Sequence, residues 1–341
     1  MVARYDADER TDEWTPVETP VDADLHVVAQ AANGTYALGE RGTLLADRGR
    51  GWEVVIEGGP SEYVHDLDLL AVTADGNRLW LAGDSGALAC YDTADGQLHG
   101  YTTPGRAPSR WDALDVAGPA GNESVLIADD SGYVRPFDVD GYAVSWGVPE
   151  RPTDGDPVTT LAMTSDGHGY AIDASGYTAR RTEHGWDLLG PVNPNVTYHD
   201  VHADPSGVVY AAATDRRLYR LRGEEWEHLD VSRSPLVSVE VFQGRVVALD
   251  ESGALYSRRA GSDDRWARTE LGSPDALGDV ELGYPDVVVG ENGAVFECVD
   301  STERTEASTF ESRETADADD PLVTEHDIEV TRVDGGSHVA N

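Results

Sequence analysis

Ala37-Leu38-Gly39-Glu40-Arg41-Gly42-Thr43-Leu44-Leu45 runs a short apolar strand into an acidic turn, closes the turn on glycine and leaves along a second apolar strand. The turn recurs as Asp84-Ser85-Gly86, Asp130-Ser131-Gly132, Ala174-Ser175-Gly176, Thr214-Asp215-Arg216, Glu251-Ser252-Gly253 and Glu291-Asn292-Gly293, with steps of 44, 46, 44, 40, 37 and 40 residues between third positions. A period near forty in a chain of short strands marks a β-propeller, because a lone four-stranded sheet leaves both faces bare until neighbouring sheets pack on them. The repeat therefore predicts an all-β, seven-bladed β-propeller over residues 13–299, followed by an acidic C-terminal extension over 300–341.

Outward from the turn, every unit keeps one order. An alternating strand opens it, as at Leu69 to Val72, Leu114 to Val116, Thr160 to Met163 and Val237 to Val241. A Gly-, Asp- or Asn-rich turn follows in most units, then a small apolar strand such as Tyr36-Ala37-Leu38 or Val287-Val288-Val289. Beyond the acidic turn come a third strand and an outer fourth one, headed by Trp52, Trp186, Trp226, Trp266 or, in the third unit, Tyr142. Proline at 60, 149, 194, 235 and 274 suits the end of an edge strand, where its missing donor costs nothing.

The seventh unit lacks its tryptophan strand, and Glu13-Trp14-Thr15-Pro16-Val17-Glu18-Thr19 supplies one without the three that should precede it. Residues 13 to 19 are thus expected to pair near 294 to 299 and close the ring. In the polar tail, Ile328-Glu329-Val330-Thr331-Arg332-Val333 alternates as a strand does.

The formal charge is −39, from 64 acidic residues against 25 cations that are all arginine. A hydrophobic content of 40% is too high for a disordered polyanion, so the charge belongs to a folded surface. Loss of lysine under a carboxylate coat suits molar salt, where the Debye length shrinks to about 3 Å, and points to a halophile with a salty cytoplasm. Solvent cations would be held non-specifically. No basic stripe exists for phosphates, so nucleic acid is not expected as a partner. Met1 to Arg10 carry no apolar run and no stretch approaches a membrane span, which implies cytoplasmic residence without membrane insertion, or a place in a virus particle. Cys90 and Cys298 fall in different repeats, too far apart around a closed ring to bridge.

The phrase around Glu40, followed by Asp47-Arg48-Gly49-Arg50-Gly51-Trp52, resembles the Asp-box or BNR repeat of sialidases and of photosystem II assembly-factor-type propellers. Val289-Gly290-Glu291-Asn292-Gly293-Ala294-Val295-Phe296 is similar to the same turn and third strand. Leu45 stands where the full motif has Ser or Thr, and the other copies keep the tryptophan or the glycine but rarely the Asp. The Gly-His and Trp-Asp signatures of WD-type propellers are missing.

Several groupings bear on function. The turn acids Glu40, Asp84, Asp130, Asp173, Asp215, Glu251 and Glu291 should share one rim, where Asp side chains commonly cap tight turns. His65-Asp66 and His199-Asp200 read as equivalent starts of first strands, with His26 and His202 nearby, yet no metal site is expected from them. The sialidase resemblance implies three converging arginines and a Tyr–Glu pair, a pattern that spacing cannot reveal. The loops leading into first strands concentrate arginine and aromatic residues, the types that dominate binding hot spots. Tyr63, His65, Arg106, Arg110, Trp111, Arg151, Tyr198 and His199 are accordingly the expected partner-binding residues, with Trp111 between blades as the bland alternative. The reading is a non-catalytic scaffold for a protein partner, with no cofactor. Its alternatives are a structural subunit clamped by its tail in a viral or surface assembly, and a sialidase-like carbohydrate-binding or hydrolysing propeller.

Overall fold

A computed structural model describes residues 13–298, apart from 59–66, 102, 104, 106, 107, 154, 155, 194, 195, 205 and 260–264. The tail, with its alternating segment at 328–333 and its proposed clamp, lies outside the described residues.

Among the described residues, seven four-stranded antiparallel sheets make a β-propeller of seven blades. Six blades take their strands in chain order, as blade one does with Leu25–Ala31, Gly34–Gly39, Thr43–Asp47 and Trp52–Ile56. Blade seven is completed by the strand Trp14–Val17, which pairs antiparallel with Val295–Cys298 in the register Trp14 to Cys298 and Val17 to Val295. The expected closure by an N-terminal strand is therefore present.

Further bonds sew this seam. Thr19 donates its hydroxyl to the Gly293 carbonyl at 2.8 Å, and the Gly293 N–H donates to the Ala23 carbonyl at 2.9 Å. Gly293 has φ +70°, and a Cβ there would stand 2.1 Å from the Val21 carbonyl oxygen, so the acidic turn must end on glycine for the strap to lie down.

Core material sits between the blades. Leu38, Leu44 and Tyr36 of blade one pack on Leu79, Leu81 and Tyr91 of blade two, and equivalent apolar layers recur around the ring. Small residues make the close approach possible: the second strand of blade five, Val209–Ala213, is buried throughout. Cys90 and Cys298 lie buried in third strands of blades two and seven.

Candidate functional site

The inner strands of the blades, Leu25–Ala31, Leu67–Val72, Trp111–Ala117, Val158–Met163, Tyr198–Ala203, Leu236–Phe242 and Leu277–Glu281, surround a central channel of about 490 Å³. Every one of them shifts register after its first residue. A bulge leaves one residue unpaired and re-aims the side chains beside it. Here it brings His26, Asp68, Asp112, Thr159 and His199 to the channel mouth, on the face that also carries the acidic turns and the loops into the inner strands.

The expected equivalence of His65-Asp66 with His199-Asp200 is corrected by this register. Tyr198 matches Leu67, so the counterpart of His199 is Asp68. Spacing alone could not show the bulge.

Deeper in the channel stand Asp115, Glu240, Asp279 and Glu281, which sequence reasoning missed, together with Asp200 and His202, which it had named. Most of these carboxylates act as latches. The free edge of an inner strand has N–H groups without a ladder partner, and a carboxylate on the preceding blade accepts from them. Met163 N–H donates to Asp115 at 2.6 Å, Val239 N–H to Asp200 at 2.8 Å, Val28 N–H to Asp279 at 2.9 Å and Gln30 N–H to Glu281 at 3.1 Å. Ser238 adds its hydroxyl to Asp279 at 2.7 Å.

Burial pushes the Asp115 carboxyl up to about 6 even though two N–H groups support the ionised form. It also raises Asp200, Asp279 and Glu281, and for Asp279 the neighbouring Asp200 charge adds to the effect. For His202, burial alone would favour the neutral ring. The Glu240 carboxylate, 2.9 Å from Nδ1, overrides that with help from Asp200 and Asp115, and raises the imidazole to about 9. Among the described residues no three His, Cys, Asp or Glu side chains are grouped to hold a metal.

The face around the mouth separates the expected contact residues. Tyr63, His65 and Arg106 lie outside the described residues. Trp111 and Tyr198 are not surface groups: at 1% and 3% exposure they pack between blades, because each is the first residue of an inner strand, ahead of the bulge. His199 is exposed at the mouth. Arg110, half exposed, is held by Asp68 at 2.5 Å, Asp112 at 3.3 Å and Asp84 at 3.9 Å. Arg151 lies 4.3 Å over the ring of Tyr133, and both are exposed. Tyr177 repeats the Tyr133 position one blade on and is exposed as well, though neither tyrosine stood out in the sequence.

The turns on this face are capped from within. Asp129, Asp173 and Asp250, each ending a second strand, accept N–H bonds from the turn that follows. Asp173 belongs to the expected acidic rim, whereas Asp129 and Asp250 directly precede its Asp130 and Glu251. Arginines do converge at one place, Arg220, Arg222 and Arg258 around Glu227, but on third and fourth strands between blades five and six, away from the channel. Tyr210 beside them is buried to 1%, so no open Tyr–Glu pair is presented there.

No family model matches the chain, and no curated protein does. Solved structures do. A structure of YCF48 bound to D1 peptide superimposes with a TM-score of 0.67 at 16% identity, over 84% of this chain and 96% of that one. YCF48 from Cyanidioschyzon merolae gives 0.65 at 13%, covering 84% and 98%, and the WD40 β-propeller domain of Doa1 gives 0.68 at 12%, covering 85% and 97%. What these likenesses share with the chain is the fold. The Doa1 match shows that ring geometry survives without the WD-type signatures, since blade packing needs apolar small-residue strands rather than one motif. Among the described residues no helix is long and apolar enough to cross a membrane.

Proposed function

We propose that the protein is a non-catalytic propeller scaffold, of degenerate Asp-box descent, that binds a protein partner on its loop-bearing face in concentrated salt. The observation that carries this reading is the Arg151–Tyr133 stack, exposed on that face with Tyr177 one blade on and Val148 at 77% exposure on the same blade as Tyr133. In a chain of 64 acids and 25 arginines, an arginine spread on an exposed aromatic ring stands apart from the carboxylate coat. Such pairs bring large contact area and directed donors with little rotamer entropy to lose. His199 and Arg110 extend the surface toward the channel mouth. That YCF48, a propeller of the same fold, has been seen with a D1 peptide supports protein contact as a use of this architecture.

The test is capture from the native host in high salt, followed by mass spectrometry. Arg151→Glu combined with Tyr133→Ala should remove a captured partner while shifting stability by no more than about 0.5 kcal/mol, as surface changes do. Arg50→Glu, in the exposed third-to-fourth-strand turn of blade one on the opposite side of the disc, should leave capture intact. Undiminished capture by the double variant sinks the assignment of this face.

A further inference from the structure

Arginine bridges most blade boundaries of this ring. Arg48 of blade one donates to the Tyr91 hydroxyl of blade two at 3.1 Å, and Arg78 of blade two to the Glu123 carboxylate of blade three at 3.0 Å. Arg181 of blade four lies 3.7 Å from Glu150 of blade three, and Arg180 3.6 Å from Glu224 of blade five. Arg245 of blade six pairs with Asp286 of blade seven.

Between blades five and six the pattern fails, because arginine meets arginine. Arg220 and Arg222, on the strand Arg217–Arg222, share the Glu227 carboxylate at 2.6 and 3.8 Å. From the other side comes Arg258 on Ala254–Arg259, its guanidinium 4.5 Å over the Trp266 ring. Its Nε and Nη2 are shut off from solvent and have no hydrogen-bond partner among the described residues. Burial first, then the charges of Arg220 and Arg222, make its protonated form harder to keep.

The two orphaned atoms are the parallel donors along one edge of the guanidinium plane. That edge is the fork that matches two oxygens of one carboxylate or phosphate, whereas a single spherical halide cannot satisfy both donors along their own directions. Arg222 and Glu227, with side chains 54% and 45% exposed, open the cluster to solvent. We propose that the boundary between blades five and six binds a small oxyanion of the phosphate type, taken by the Nε–Nη2 edge of Arg258 and flanked by Arg220 and Arg222. The anion supplies the counter-charge that a carboxylate of the adjacent blade supplies between blades two and three, three and four, four and five, and six and seven, and it links the two blades. Glu227 competes with it for the same arginines.

Titration calorimetry of the full chain with sodium phosphate, against sodium chloride at equal ionic strength and pH, tests this. The wild-type protein should show saturable phosphate binding that chloride does not reproduce. Arg258→Gln should weaken it at least tenfold, with circular dichroism confirming the fold. Glu227→Gln should tighten it several-fold, an outcome that a purely structural Arg258 does not produce. Absence of saturable binding in the wild type, equal binding by Arg258→Gln, or binding in Glu227→Gln that is unchanged or weaker would each overturn the site.

Discussion

Replacing Glu240 with glutamine removes the carboxylate nearest the His202 imidazole while keeping its shape. His202 is held at about 9 against an ordinary value near 6.5, and at about 1.36 kcal/mol per unit this preference for the charged ring corresponds to about 3 kcal/mol. Water reaches 27% of the imidazole and 15% of the carboxylate, so the figure is an upper bound and falls further in molar salt. Because the folded-state value lies above the unfolded one, the contribution is complete below about pH 6.5 and is lost as pH climbs through about 9. Asp115 adds the same slope earlier: its raised value of about 6 means that stability is lost between about pH 4 and 6, as the latch is forced to ionise. Denaturant unfolding at fixed salt should therefore show Glu240→Gln less stable than wild type by up to about 3 kcal/mol at pH 6, with the difference gone or reversed at pH 10. Imidazole resonances should titrate near 9 in the wild type and markedly lower in the variant. A penalty independent of pH would refute the account, since it would make Glu240 a packing residue whose charge His202 does not feel.

Two further outcomes follow from the ring. Deleting residues 1–20 removes the strand register with Val295–Cys298 and the Thr19 bond to Gly293, so scanning calorimetry should show a markedly lower melting temperature; an unchanged one would mean that the seam contributes nothing. Cys90, fully buried and pushed up to about 12 by its apolar surroundings, should resist a thiol reagent at pH 8 in the folded protein and react at once in denaturant; rapid reaction under native conditions would contradict its placement.

The blade count and the strap were legible because both are written locally. A glycine-closed turn recurs near every fortieth residue, and a tryptophan strand stood at the wrong end of the chain. The site was less legible, for two physical reasons. Trp111 and Tyr198 look like loop residues in sequence, but the bulge behind them lets each start its strand facing a neighbouring blade, so large aromatic side chains became core. Asp115, Asp200, Asp279 and Glu281 sit in strands that already mix polar and apolar residues, so nothing local sets them apart, and their meeting is a product of ring closure over hundreds of residues. One signal was available. Asp115, His202, Glu240 and Glu281 occupy the same position after the bulge in their units, where the remaining units carry Ala29, Ala71 and Ala162.

Trp14 finds its partner at Cys298, so the strap must wait for a strand translated more than two hundred and fifty residues after it. At roughly 5–20 residues per second the ribosome keeps it waiting on the order of tens of seconds, while the intervening sheets have all they need to assemble. Through that interval the nascent protein is an open arc with an unfilled slot at one end and an unclaimed strand at the other. Two such arcs in close proximity can each fill the other's slot, and a polysome is where they are brought side by side.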